Sequence, residues 1–137
     1  VELPTVVIDG AKCPKPGSKI TTLSRYRVVI DGGDVLLQAA MFRITVILAL
    51  ARQNENGWVY LEEFYADQPT ARKYIDRTRK QILDQVDEDL WDWPVIHNDR
   101  RGHYRLATTP DKISFSNPLA LSEFGDATIR QMMEGMV

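Results

Sequence analysis

Residues 70–86 read TARKYIDRTRKQILDQV. At 3.6 residues per turn, Ala71, Ile75, Thr78, Ile82 and Val86 share one face, while Arg72, Lys73, Arg77, Arg79 and Lys80 crowd the rest. The spacing predicts a helix with its back in a core and its cations toward solvent. Just beyond it the sign inverts, with Asp84, Asp87, Glu88, Asp89 and Asp92 all negative. A chain whose net charge is only −2 therefore segregates its charge along one helix and its exit. A basic helix face is either a solvated surface with intrahelical ion pairs or a surface shaped for an anion, and DNA is the anion tested below.

Working back from this stretch, residues 67–70 (DQPT) form a turn, with Thr70 placed to cap the basic helix. Residues 61–65 (LEEFY) read as a short second helix with Leu61, Phe64 and Tyr65 inward, after an extended segment at residues 58–60. Residues 39–53 (AAMFRITVILALARQ) are apolar nearly all round, as a centrally buried helix must be. The Asn/Gly cluster at residues 54–57 suits a left-handed end to it. Residues 1–38 read as an antiparallel sheet. Its first strand, residues 5–8, ends at Asp9 and Gly10, and residues 13–17 (CPKPG) are irregular. Residues 26–30 and 35–37 flank the hairpin signal DGGD.

Working forward, residues 95–97 and 103–106 bracket NDRRG, a second hairpin whose tip carries Arg100 and Arg101. Residues 113–115 can add one more strand, and residues 119–136 carry an apolar strip interrupted by Gly125. This divides the chain into a domain at residues 1–110, including the sheet of residues 1–38, and a C-terminal extension at residues 111–137. The strip suits docking on the domain or on a second copy, giving a homodimer.

The totals bound the rest. At 137 residues, 44% hydrophobic and 26% charged, the composition is that of one soluble globular domain. The longest apolar run, residues 44–51, falls well short of the roughly 20 residues a membrane span needs. No signal-like start is present, and a single cysteine, Cys13, excludes an internal disulfide, so a reducing cytoplasmic setting is expected. The opening on Val1 fits either a trimmed chain or a piece of a longer one. Two histidines without thiol partners leave no zinc spacing, and the acidic cluster lacks the calcium-loop pattern. There is no nucleophile elbow and no phosphate-cradling glycine loop, so neither catalysis nor a cofactor is expected.

Sheet, helix, short helix, basic helix and basic-tipped hairpin is the order of a winged helix-turn-helix, an α+β fold with three helices and a C-terminal wing. Residues 73–82 (KYIDRTRKQI) and 98–106 (NDRRGHYRL) resemble the third helix and the wing of the DNA-binding domain of OmpR/PhoB-type response regulators. The resemblance covers roughly residues 25–108, with Ile75, Arg77, Arg79, Lys80, Gly102, Tyr104, Arg105 and Leu106 at matching places. It implies sequence-specific binding of double-stranded DNA in transcriptional control. The helix of residues 70–86 would enter the major groove, and the wing of residues 95–106 would lie on the backbone or minor groove.

On that reading Lys73 and Arg77 reach base edges, Arg72, Arg79 and Lys80 meet phosphates, and Arg100 or Arg101 makes the wing contact. Arg105 is either a phosphate contact or a partner of the acidic connection. Tyr104 and Trp58 read as core. Asp76 departs from the family, which has a small or polar residue there. On a groove-facing surface it repels phosphate, unless Arg72 or Lys80 one turn away holds it. Residues 66–69 are too short for the family's polymerase-contacting loop, and no receiver domain fits ahead of the sheet. The acidic net charge, Asp76 and the short loop fit the alternative, a winged-helix module that binds protein instead of DNA.

Overall fold

The structure, a computed structural model, describes residues 3–14, 24–53, 57–65 and 67–135. In chain order its elements are strands β1 (Val6–Pro14), β2 (Ser24–Ile30) and β3 (Gly33–Leu37), helix α1 (Ala39–Arg52), strand β4 (Val59–Tyr60) and helix α2 (Gln68–Leu83). Strands β5 (Ile96–Asn98), β6 (His103–Leu106) and β7 (Ile113–Phe115) and helices α3 (Pro118–Phe124) and α4 (Ala127–Glu134) complete the fold. The class is α+β.

Helix α1 is the hub. Nine of its 14 residues are buried, because its sequence offers apolar groups on every side and not along one stripe. It touches the first sheet, α2, β6 and α4. Phe42 stacks with Tyr26 of β2 and meets Phe124 of α3 edge-on, joining sheet, hub and C-terminal helices in one aromatic cluster.

The first sheet has the order β3-β2-β1-β7. Its β2–β3 hairpin turns through Asp31 and Gly32, both at positive φ, the geometry whose twist matches that of paired strands. Asp31 is fixed there by accepting from the Thr5 amide at 2.9 Å. The free edge of β3 is covered by α2. The Gln85 carboxamide accepts from the Leu36 amide at 2.8 Å and donates to the Leu36 carbonyl at 2.9 Å, in the manner of a peptide group. A second sheet, β4-β6-β5, packs on α1 through β6.

Several expectations are corrected. The first sheet is mixed, since β7 joins β1 in parallel, and it is not confined to residues 1–38. Strand β1 does not end at Gly10: a bulge between Ile8 and Lys12, with Gly10 at φ 81°, absorbs the break, and pairing continues to Pro14. Cys13 and Pro14 are thus strand residues, while residues 15–17 lie outside the described residues. The expected second helix at residues 61–65 is a single 3₁₀ turn, Leu61–Glu63, so three helices ending in a wing is not the observed count. The extension instead supplies two further helices, divided at Gly125, whose φ of 76° caps α3. Helix α1 ends at Arg52; of the cluster expected to end it, Asn54, Glu55 and Asn56 lie outside the described residues. No described helix is long and apolar enough to cross a membrane.

Candidate nucleic-acid interface

Helix α2 starts two residues earlier than its pattern indicates and ends at Leu83. Its N-cap is Asp67 and not Thr70: the Asp67 carboxylate accepts from the Thr70 amide at 2.8 Å, with Pro69 in the first turn where its missing N–H costs nothing. That amide, above all, holds the Asp67 carboxyl below the usual carboxylate range. Ala71, Ile75, Thr78 and Ile82 are buried as their spacing requires, and Arg72, Lys73, Asp76, Arg77 and Lys80 are exposed.

Arg79 is placed differently from the phosphate contact expected of it. Its guanidinium donates to the Ile96 carbonyl of β5 at 2.6 Å and lies 3.4 Å from the Asp76 carboxylate. It is a strut between helix and wing. Asp76 is accordingly held by Arg79, and not by Arg72 or Lys80, though its side chain remains 65% exposed.

The hairpin read from the sequence as a wing is β5 and β6 joined by residues 99–102, with β4 paired on the far side of β6. Its entry is a tight turn in which the Ile96 amide donates to the Pro94 carbonyl at 2.7 Å across Val95, held at φ 66°. A β-branched residue there is strained, and complete burial of the Val95 side chain is what holds it. At the tip, Asn98 accepts from the Arg100 amide at 2.8 Å, and one Asp99 oxygen accepts from the amides of Arg101 and His103. The other Asp99 oxygen lies 2.9 Å from His103 Nδ1. Burial opposes the Asp99 charge, yet these donors hold its carboxyl below the usual range. The tip is thus preset, with Arg100 at φ 64° and both arginines exposed.

Wing tip and helix start meet in a cleft of about 290 Å³ lined by Gln68, Arg72, Asn98, Arg100 and Arg101, with Gly102 and Tyr104 in its wall. Gln68 and Arg72 also border an open surface along α2 with Lys73, Asp76 and Arg77. Arg72, Arg100 and Arg101 are brought together, and Lys73 and Arg77 continue the cationic face. Arg105 is not part of it. Strand alternation turns Tyr104 and Leu106 inward and Arg105 to the opposite face, where its guanidinium lies 4.4 Å over the Trp58 ring. Neither of its two expected roles, phosphate contact or partner of the acidic connection, is this one. Of the two aromatic residues read as core, Tyr104 is buried and Trp58 is half-buried. On that outer face His97 pairs in register with Arg105. Loss of solvent, then the charges of Arg105, Arg52 and Arg79, hold the His97 imidazole below the ordinary histidine value.

Sequence reasoning passed over Gln68 and Asn98. Both stood in segments read as turns, and only the docking of wing on helix reveals that they share a cleft. Among the described residues, no group of three or more His, Cys, Asp or Glu side chains is placed to hold a metal ion. No protein-family model, curated protein or solved structure matches the chain.

Proposed function

We propose that the protein binds double-stranded DNA in transcriptional control, as a winged-helix variant in which a 3₁₀ turn stands where OmpR/PhoB-type domains, which the sequence resembles, have their second helix. The observation that carries this reading is the convergence of Arg72 from α2 with Arg100 and Arg101 from the wing on one cleft, beside the open cationic face of α2. One sugar–phosphate strand separates the major from the minor groove. A helix seated in the first and a wing on the second therefore leave that strand between them, where the cleft offers three guanidiniums. Arg72, Arg100 and Arg101 hold the strand, Lys80 adds a phosphate contact, and Lys73 and Arg77 face base edges. Arg79 and Arg105 contribute through structure and not by contact. Asp76 limits affinity and, among bases, accepts only from amino groups.

The test is a low-salt duplex shift assay on single variants. Arg72→Ala and Arg101→Ala each weaken binding at least about fivefold, whereas Arg105→Ala, on the far face of the wing, leaves it within about twofold. Equal losses in all three variants, or none in any, contradict the assignment. A protein-docking module is the second reading, favoured by the exposure of Trp91 beside the acidic residues Asp89 and Asp92 and of Leu119 on α3. It predicts no duplex binding by the parent chain.

A further inference from the structure

Arg77, a proposed base-edge residue, has a ring contact, and the ring belongs to a longer series. Its guanidinium carbon lies 5.9 Å from the centre of the Tyr74 ring. Tyr74 stacks on Tyr65 with ring centres 5.4 Å apart and planes 25° from parallel. The other neighbour of Tyr65 is Arg43 of α1, whose guanidinium carbon lies 5.8 Å from the ring centre. Arg43 is itself pinned, donating to the Asp126 carboxylate at 2.7 Å and lying 3.4 Å from the Thr128 hydroxyl. Asp126 is the N-cap of α4 and accepts from the Ile129 amide at 3.0 Å.

Each contact constrains the next. An exposed arginine on a helix samples many rotamers, and a ring face beside it favours those that lay the guanidinium over the π-cloud. The ring must itself be fixed for that preference to act, and Tyr65 fixes Tyr74 by offset stacking. Asp76 does not compete for Arg77, because Arg79 holds it. The ladder therefore runs from the cap of the C-terminal helix, through the hub helix, to a cation on the proposed recognition face.

We infer that Tyr74, Tyr65, Arg43 and Asp126 form a positioning ladder that sets the direction of Arg77, so that the C-terminal helix α4 tunes the strength with which α2 holds DNA. This rests on the duplex-binding reading for its consequence, but not for its geometry. The four are positioning residues, since none of them need touch the nucleic acid.

Two variants isolate the ladder from folding. Asp126→Asn keeps a good cap for α4 while removing the charge that pins Arg43. Tyr65→Leu removes the stacked ring, and Tyr65→Phe restores it. In the full chain, Asp126→Asn and Tyr65→Leu each weaken duplex binding about three- to fivefold, and Tyr65→Phe, which keeps the ring but loses the hydroxyl that bonds Arg43, falls between the parent and Tyr65→Leu. In an Arg77→Ala background neither variant weakens binding further by more than about 1.5-fold, as one shared pathway requires. The second readout needs no DNA: the ring-current shift of the Arg77 Nε–Hε resonance in the free protein is reduced by Asp126→Asn and Tyr65→Leu and less so by Tyr65→Phe. An Arg77 resonance indifferent to Asp126→Asn and Tyr65→Leu, or binding losses as large without Arg77 as with it, overturns the ladder. A responsive resonance in a chain that binds no duplex upholds the ladder and overturns the DNA reading instead.

Discussion

Gly102 closes the wing against the helix. At φ 90° it adopts a conformation that side chains resist, and an added Cβ would meet Tyr60 Cε2 at 2.6 Å and Gln68 Nε2 at 3.0 Å. Gly102→Ala is therefore expected to cost about 1–3 kcal/mol in denaturant unfolding, and a loss below about 0.5 kcal/mol contradicts the described closure. Arg79 and Arg72, about two turns apart on the same side of α2, form a contrasting pair. Removing the half-buried Arg79 strands the Ile96 carbonyl, so Arg79→Met costs about 1.5 kcal/mol of stability. Arg72→Ala leaves stability within about 0.5 kcal/mol, as exposed sites do, and shows its effect in duplex affinity. If Arg79→Met weakens binding without destabilising the chain, Arg79 is a contact after all. The pattern of residues 70–86 correctly picked Ala71, Ile75, Thr78 and Ile82 as buried, while Val86 lies past the end of α2 and is only half-buried. That pattern could not say which exposed arginine would bend back to a strand 17 residues on, because that depends on where the wing docks.

At the scale of elements, α1 and α2 were legible because their periodicity is a local property of consecutive residues. What failed depended on distance or on competition. Strand β7 joins β1 across more than 100 residues, with Ser116 donating to the Asp9 carboxylate at 3.2 Å, and no short-range pattern announces such a pair. Thr70 lost the cap to Asp67 because a carboxylate three residues ahead of a free amide is an equal competitor, with Pro69 fixing the first turn after it. Asp67→Ala should lower the unfolding midpoint measurably, and Asp67→Asn much less, measured by thermal or chemical unfolding. Equal costs for both would mean that charge, and not the hydrogen bond, holds the helix start. The strained Val95 turn, which aims the wing, leaves no sequence signal, since valine is the residue least expected at positive φ.

Across the whole molecule, burial and the cations near His97, which lie off the cationic face, create a pH dependence. His97 has a depressed folded value, so the unfolded chain binds its proton first as pH falls. The stability tied to a neutral His97 is complete above about pH 6.5 and is lost as the pH drops through its folded value. His97→Gln should remove that part of the decline, so that its unfolding free energy changes less than the parent's between pH 7.5 and pH 5.5. An unchanged difference would show that neither lost solvent nor the charges of Arg105, Arg52 and Arg79 act on this site. Charge segregation reconciles a net charge of −2 with the proposed anionic partner, because the acidic residues gather beyond the end of α2 and leave its first turns and the hairpin tip positive. A cleft and helix face that neutralise three or four phosphates release as many counterions. Titration of a random-sequence duplex at two salt concentrations tests this directly: the account predicts binding at low salt that weakens with a log–log slope of about −3, and no low-salt binding, or binding indifferent to salt, would contradict it.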